Sequence, residues 1–205
     1  MIVALAGGVG GARMVAGLAK LLPPAELTIV VNTGDDFEHL GLAISPDLDT
    51  VMYTLAGVHN PATGWGQRDE TWHFMETLEK LGGDTWFRLG DRDLAVHVMR
   101  TQLLGRGTPL SATTGLLSRQ FGIAHSIVPM SDTPVRTFVD TADGELAFQD
   151  YFVRRRCAPA VRGFRFAGSA TARAPARLQE LMHGDTVNAV IVCPSNPYVS
   201  IGPVL

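Results

Sequence analysis

The opening of the chain constrains the fold most. Apolar Ile2–Ala6 runs into Gly7-Gly8-Val9-Gly10-Gly11, a helical stretch follows, and β-branched Leu27–Val31 comes next. The pattern predicts a short buried strand, a glycine loop, a helix over Met14–Leu22 stopped by Pro23-Pro24, and a second strand. Strand, helix and strand in this order make a βαβ unit with a right-handed crossover. In an open parallel sheet, loops at the carboxyl ends of the strands line the ligand crevice. The glycine loop and Asn32-Thr33-Gly34-Asp35-Asp36 both fall at such ends, so they should face each other.

Helical spacing of Phe74, Leu78 and Leu81, with Gly82-Gly83 as a stop, predicts a helix over Thr71–Leu81. Asp91 or Asp93 starts a second helix running to about Leu104, and Thr113–Phe121 reads as a third. These make a helical insertion over residues 61–122 that carries Trp65, Trp72 and Trp86. Strands are expected again at His125–Val128 and Val135–Asp140, with Asp143-Gly144 turning a hairpin into Glu145–Val153. Gly163–Gly168 reads as a strand, Pro175 opens a helix ending near Gly184, and Asn188–Cys193 is a last buried strand. The expected class is α/β, a single domain over residues 1–205. It has a mostly parallel, Rossmann-like three-layer sheet joined by an antiparallel hairpin.

At 205 residues and 46% hydrophobic, the chain can bury a core and is not a disordered polymer. A net charge of −3 gives no electrostatic case for nucleic acid. No run approaches the roughly 18–20 unbroken apolar residues of a membrane span, and the apolar start lacks the basic flank of a signal peptide. Cys157 and Cys193 are far apart and lack metal-ligand spacing, so the cytoplasm is the expected location.

Glycines let a backbone approach a phosphate, and the helix behind them offers free N–H groups and a positive dipole end. The run lacks the Gly-Lys-Ser/Thr ending of a Walker loop, and Arg13 is placed to reach a phosphate. Asp35-Asp36 puts two carboxylates side by side, which calls for a cation or a proton nearby. Asp47 and Asp49 either point the same way from an extended segment, or Asp47 caps a helix with Asp49 in its first turn. In both cases Asp49 is free to join Asp35 around one Mg²⁺, whose hard oxygen shell phosphates would complete. Asp91-Arg92-Asp93, Ser131-Asp132 and Ser195-Asn196 form a second tier of loop residues.

The glycine run and Asn32–Asp36, together with Pro46-Asp47-Leu48-Asp49-Thr50, Gly64-Trp65-Gly66, Leu89-Gly90-Asp91, Met130-Ser131-Asp132, Phe148-Gln149-Asp150 and Pro194-Ser195-Asn196-Pro197, resemble the CofD family in order along the chain. The resemblance implies a 2-phospho-L-lactate transferase of coenzyme F420 biosynthesis. It would move a phospholactyl-type group from a GDP-linked donor to the terminal ribityl hydroxyl of the deazaflavin FO (7,8-didemethyl-8-hydroxy-5-deazariboflavin), releasing GMP. The group itself (phospholactate, phosphoenolpyruvate or phosphoglycerate) stays open. The resemblance further implies that Gly7, Gly8, Gly10 and Gly11, with Arg13, Asn32 and Thr33, hold the donor, and that Ser195 and Asn196 take its guanosine portion. Asp35 and Asp49 become the Mg²⁺ ligands, and Asp36, with Asp35, the catalytic pair. A homodimer is implied too, as is a C-terminal part of the family fold absent from this chain.

Two other readings share the opening. A nucleotide-sugar-binding regulator of the gluconeogenesis-factor type has the same glycine-loop fold. The segment at 46–50 and the tryptophan-bearing insertion favour the transferase over it. A dehydrogenase expects an acid at the end of the second strand, which Asp35 meets, but has no use for Asp36 and Asp49.

Overall fold

The computed structural model describes all residues, Met1–Leu205. In chain order, β1 is Ile2–Ala6, α1 Gly8–Leu21, β2 Leu27–Val31, β3 Phe37–His39, β4 Leu42–Ile44 and α2 Pro46–Leu55. Then come α3 (His73–Lys80), α4 (Asp91–Gly105), α5 (Leu110–Gln120), β5 (Ser126–Pro129), β6 (Arg136–Thr141) and β7 (Gly144–Ala147). Last are β8 (Val161–Ala167), α6 (Ala176–His183) and β9 (Ala189–Val192).

The central sheet has the order β5-β2-β1-β9 and is parallel throughout. β2 is buried along its whole length, which is why Leu-Thr-Ile-Val-Val carries no charge. Ile29 and Val31 pack into a cluster with Val15 of α1, Leu48, Val51 and Met52 of α2 and Leu117 of α5. Val3 and Val30, on the opposite face, meet Val135 and Leu178, with Phe166 at the margin. The three-layer α/β architecture is as expected.

The detail differs in several places. α1 begins at Gly8, so Gly8, Val9, Gly10 and Gly11 are themselves the first turns of the helix and not a loop before it. The antiparallel strands do not join the parallel sheet. β6 pairs with β7 and β8 in a separate three-stranded sheet, and β3–β4 is a second, unforeseen hairpin. The β6–β7 pairing puts Thr141 opposite Gly144, so Ala142-Asp143 make the turn, one residue earlier than expected. β7 stops at Ala147, and Asp150–Arg154 form a wide helical turn where a strand was expected.

The region 61–122 is not one insertion either. α4 and α5 send Val96 and Leu117 into the main core. α3 packs in a small separate cluster of Ile44, Met75 and Leu89 under the β3–β4 hairpin. β9 forms an edge, with Val190 and Val192 more than half exposed, rather than a buried strand. Beside it an apolar groove of about 870 Å³ runs between the sheet and α6, on the face away from α1 and α2.

Candidate functional site

The acidic residues converge at the carboxyl ends of β1 and β2. Asp35 and Asp36 follow β2, and Asp47 and Asp49 lie in the first turn of α2; all four are buried. Neither earlier alternative for Asp47 holds. Ser45 is the capping position and Pro46 the first helical residue. Residues two apart on a helix point roughly 200° apart, so Asp47 and Asp49 face different neighbourhoods.

Asp47 turns toward the glycine-rich start of α1. Its carboxylate accepts from Asn32 Nδ2 at 2.9 Å and from the Gly8 N–H. A Cβ at Gly7 would stand 3.0 Å from Asp47 Oδ2 and 2.7 Å from Ser200 Cβ, so glycine is needed for this approach. Asn32 itself is fully buried. It also donates to the Val199 carbonyl at 3.3 Å and accepts from the Gly34 N–H at 2.8 Å. It braces the loops and cannot touch a ligand.

Asp35 stands with Asp47, not with Asp49. Burial, and then the Asp47 charge, hold the Asp35 carboxyl well above its ordinary range, and its Oδ1 has no hydrogen-bond partner. Burial pushes Asp47 up to about 6. An orphaned, buried carboxylate oxygen beside a second carboxylate offers the oxygen ligands that suit a hard divalent cation.

Asp49 turns the other way, into an ion pair with both terminal nitrogens of Arg100 on α4, one of them at 3.1 Å. Asp49, Asp93 and His97 bring ligand atoms within 4.8 Å of one another, a spacing suited to a metal. The guanidinium of Arg100 already supplies the cation there, 3.2 Å from His97 Nδ1, and the Tyr53 hydroxyl donates to Asp93. This buried network ties α2 to α4. Asp49 is thus turned to Arg100, and of the two α2 carboxylates it is Asp47 that acts on Asp35.

Asp36 accepts from Ser45 Oγ at 2.8 Å through Oδ2, while Oδ1 has no partner. Burial raises it to about 7 against the pull of Arg136, Ser45 and Arg100. It opens on a cavity of about 100 Å³ lined also by Thr33, Ser45, Phe37, Pro134 and Arg136. Thr33 is buried and its Oγ1 unpartnered.

Other expected residues have structural partners. Ser195 Oγ donates to the Gly7 carbonyl at 2.7 Å and accepts from the Gly7 N–H at 3.3 Å, clamping the start of α1. The Asn196 carbonyl oxygen accepts from Tyr198 and Val199 N–H groups, leaving its NH₂ free. Gly10 and Gly11 abut Pro194 and Ser195. Arg13 is exposed in the second turn of α1. Asp132 accepts from Ser111 N–H at 2.7 Å and so caps α5.

Arg100, Ser45 and Arg136 were not singled out from the sequence. Only Ser45-Pro46, a cap followed by proline, carried a signal that could have found one of them.

A parallel sheet with a glycine-built helix start and buried carboxylates at its carboxyl end makes this a three-layer α/β protein whose ligand crevice lies at that end. The chain matches the family described as "2-phospho-L-lactate transferase CofD" over residues 2–205, and it belongs to the CofD family. It is 46% identical to a phosphoenolpyruvate transferase of Streptomyces avermitilis across the whole of this chain and 65% of that protein. It is 38% identical to a 2-phospho-L-lactate transferase of Methanosarcina mazei, covering 67% of it. The chain thus spans about two thirds of the length of these curated relatives. A solved UPF0052 family protein from Bacillus halodurans shares the fold at a TM-score of 0.66 and 14% identity, over all of this chain and 61% of that one. No helix is long and apolar enough to cross a membrane.

Proposed function

We propose that the protein transfers a phosphorylated three-carbon acid from a GDP-linked donor to the terminal ribityl hydroxyl of FO, releasing GMP. The observation that carries this reading is the buried Asp35–Asp47 pair beside the glycine-built start of α1, with Asp36 facing a separate cavity. The names of the relatives, phosphoenolpyruvate transferase and 2-phospho-L-lactate transferase, give the group moved in those proteins. Both groups are three-carbon acids carrying phosphate.

In this reading the acceptor oxygen bonds to the phosphorus that bears the acid. The bond from that phosphorus to the bridging oxygen breaks, and GMP leaves. The hydroxyl proton passes to Asp36, whose unpartnered Oδ1 and affinity near neutrality suit a general base. The Val9–Gly11 N–H groups and Arg13 face the diphosphate, and Ser195 holds Gly7 in place for it. Thr33 borders the reacting end, and the free NH₂ of Asn196 is available to the guanosine portion. Asp35 and Asp47 would hold Mg²⁺, which when bound neutralises diphosphate charge. The same reading takes the protein as a cytoplasmic homodimer; light scattering of the eluted species tests the dimer.

The experiment is titration of GDP with and without Mg²⁺, followed by a transfer assay with FO and the GDP-linked donor that measures GMP. Magnesium-dependent GDP binding, diminished in Asp47→Asn, is expected. Binding indifferent to both magnesium and Asp47 would defeat the reading.

A further inference from the structure

The residues that face the diphosphate leave one charged group beside the reacting centre without a task. Two guanidinium groups act on Asp36. Arg100 is fixed by its ion pair with Asp49. Arg136, the first residue of β6, is half-buried and forms no ion pair, and its one hydrogen bond runs from Nη1 to the Val135 carbonyl at 2.9 Å. Its remaining donors are free at the wall of the cavity that Asp36 faces.

That cavity has the size and lining of a subsite. At about 100 Å³ it lies well below the roughly 300 Å³ at which pockets for drug-sized ligands begin, too small for a three-ring deazaflavin. No residue of Gly7–Gly11, nor Asp35 or Asp47, lines it, so it is not the diphosphate cradle. Thr33, 1% exposed with an unpartnered Oγ1, and Asp36, 6% exposed with an unpartnered Oδ1, both border it. Buried polar atoms without partners need one, and at a cavity wall a ligand or water can supply it.

We propose that Arg136 receives the carboxylate of the three-carbon acid carried by the donor, and so sets the class of group that the protein transfers. The inference rests on the transferase reading and deepens it. A planar carboxylate fits the guanidinium fork in a bidentate way, whereas the neutral acceptor hydroxyl has no need of a cation. Held there, the acid stands next to Asp36, with its phosphorus toward the α1 start. A donor lacking the carboxylate leaves Arg136 and Thr33 without their partners.

The test compares two donors by calorimetric titration into the wild-type chain, Arg136→Met and Arg136→Lys. One donor is guanosine diphosphate esterified through the hydroxyl of lactate. The other is the isopropyl ester, in which a methyl group replaces the carboxylate. The wild type should prefer the lactyl donor by about 10- to 100-fold, the range for a hydrogen-bonded charge. Arg136→Met should erase the preference, and Arg136→Lys should restore part of it. The ratio cancels any general weakening of the site.

Equal affinity of the wild type for both donors would overturn the proposal. So would a preference that survives in Arg136→Met, or an equal loss on both donors, which would make Arg136 a charge partner of Asp36 only. Failure of the folded wild type to bind either donor, or GDP, would remove the transferase reading and this inference with it.

Discussion

Asn32 and Asp47 meet at 2.9 Å, amide to carboxylate, and join the end of β2 to the first turn of α2 beneath the glycine-rich helix start. The amide has no other freedom, since its oxygen holds the Gly34 N–H and its nitrogen also reaches the Val199 carbonyl. Asn32→Leu keeps the volume and strips every one of these bonds, leaving the buried Gly34 N–H unpaired and Asp47 without its amide donor. A loss of about 2–4 kcal/mol is expected in urea unfolding. A change under 0.5 kcal/mol would show that the brace is dispensable.

Arg100 and Asp49 form the second tie into α2. Arg100→Met leaves a buried carboxylate beside Asp93 and His97 and should cost about 3–5 kcal/mol. Arg100→Met combined with Asp49→Leu removes both charges and should cost less than the two changes added. A double-mutant cycle measures the coupling, and strict additivity would argue against the pair.

Two helix starts exchange their caps. Glu70 accepts from the Arg92 and Asp93 N–H groups at the start of α4, at 2.8 and 2.9 Å. Asp91, the first residue of α4, accepts from His73 and Phe74 N–H groups at the start of α3, at 3.1 Å each. A side chain at Gly90 would collide with Glu70. Glu70→Ala should lower stability by about 1 kcal/mol, read as a drop of a few degrees in Tm, and Asp91→Ala should lower Tm in the same direction.

Stability should fall between about pH 4 and pH 7 when no divalent ion is present. Burial raises native Asp36 from 3.8 to about 7 and Asp47 to about 6. In that window the native chain keeps protons that the unfolded chain has released, so the slope of unfolding free energy with pH is negative. Each group contributes at most about 1.4 kcal/mol per pH unit. Melting at pH 5.5 and pH 8 checks this: Tm should be lower at pH 8, Asp36→Asn should shrink the difference, and Mg²⁺ should raise the pH 8 value. A Tm that rises with pH would contradict the burial of these carboxylates.

Much of the frame was legible in the sequence. The strands Ile2–Ala6 and Leu27–Val31 come out at their expected bounds, because a short uncharged apolar run ending at Gly7 or at Asn32-Thr33-Gly34 has few other solutions. The acidic cluster was legible as residue types but not as pairs. Whether Asp47 or Asp49 meets Asp35 depends on where α2 starts, and one turn of helix decides it. Arg100 and Arg136 carried no local signal, since each acts across sequence distances that only the fold closes. The β6–β7–β8 sheet was misplaced for a related reason: strand patterning shows which residues pair along a hairpin, but not which sheet it joins.

The clamp between Ser195 and Gly7 spans 188 positions of sequence. Gly10 likewise sits against the Pro194 carbonyl, so the start of α1 takes its shape from residues that follow β9. Contacts this distant in sequence carry a large loop-closure cost. In the proposed reading, competence to hold a nucleotide therefore depends on β9 being in place, and a chain lacking β9 would carry the glycine run without its support. On that reading, affinity for the donor nucleotide doubles as a readout of whether the two ends of the chain have come together.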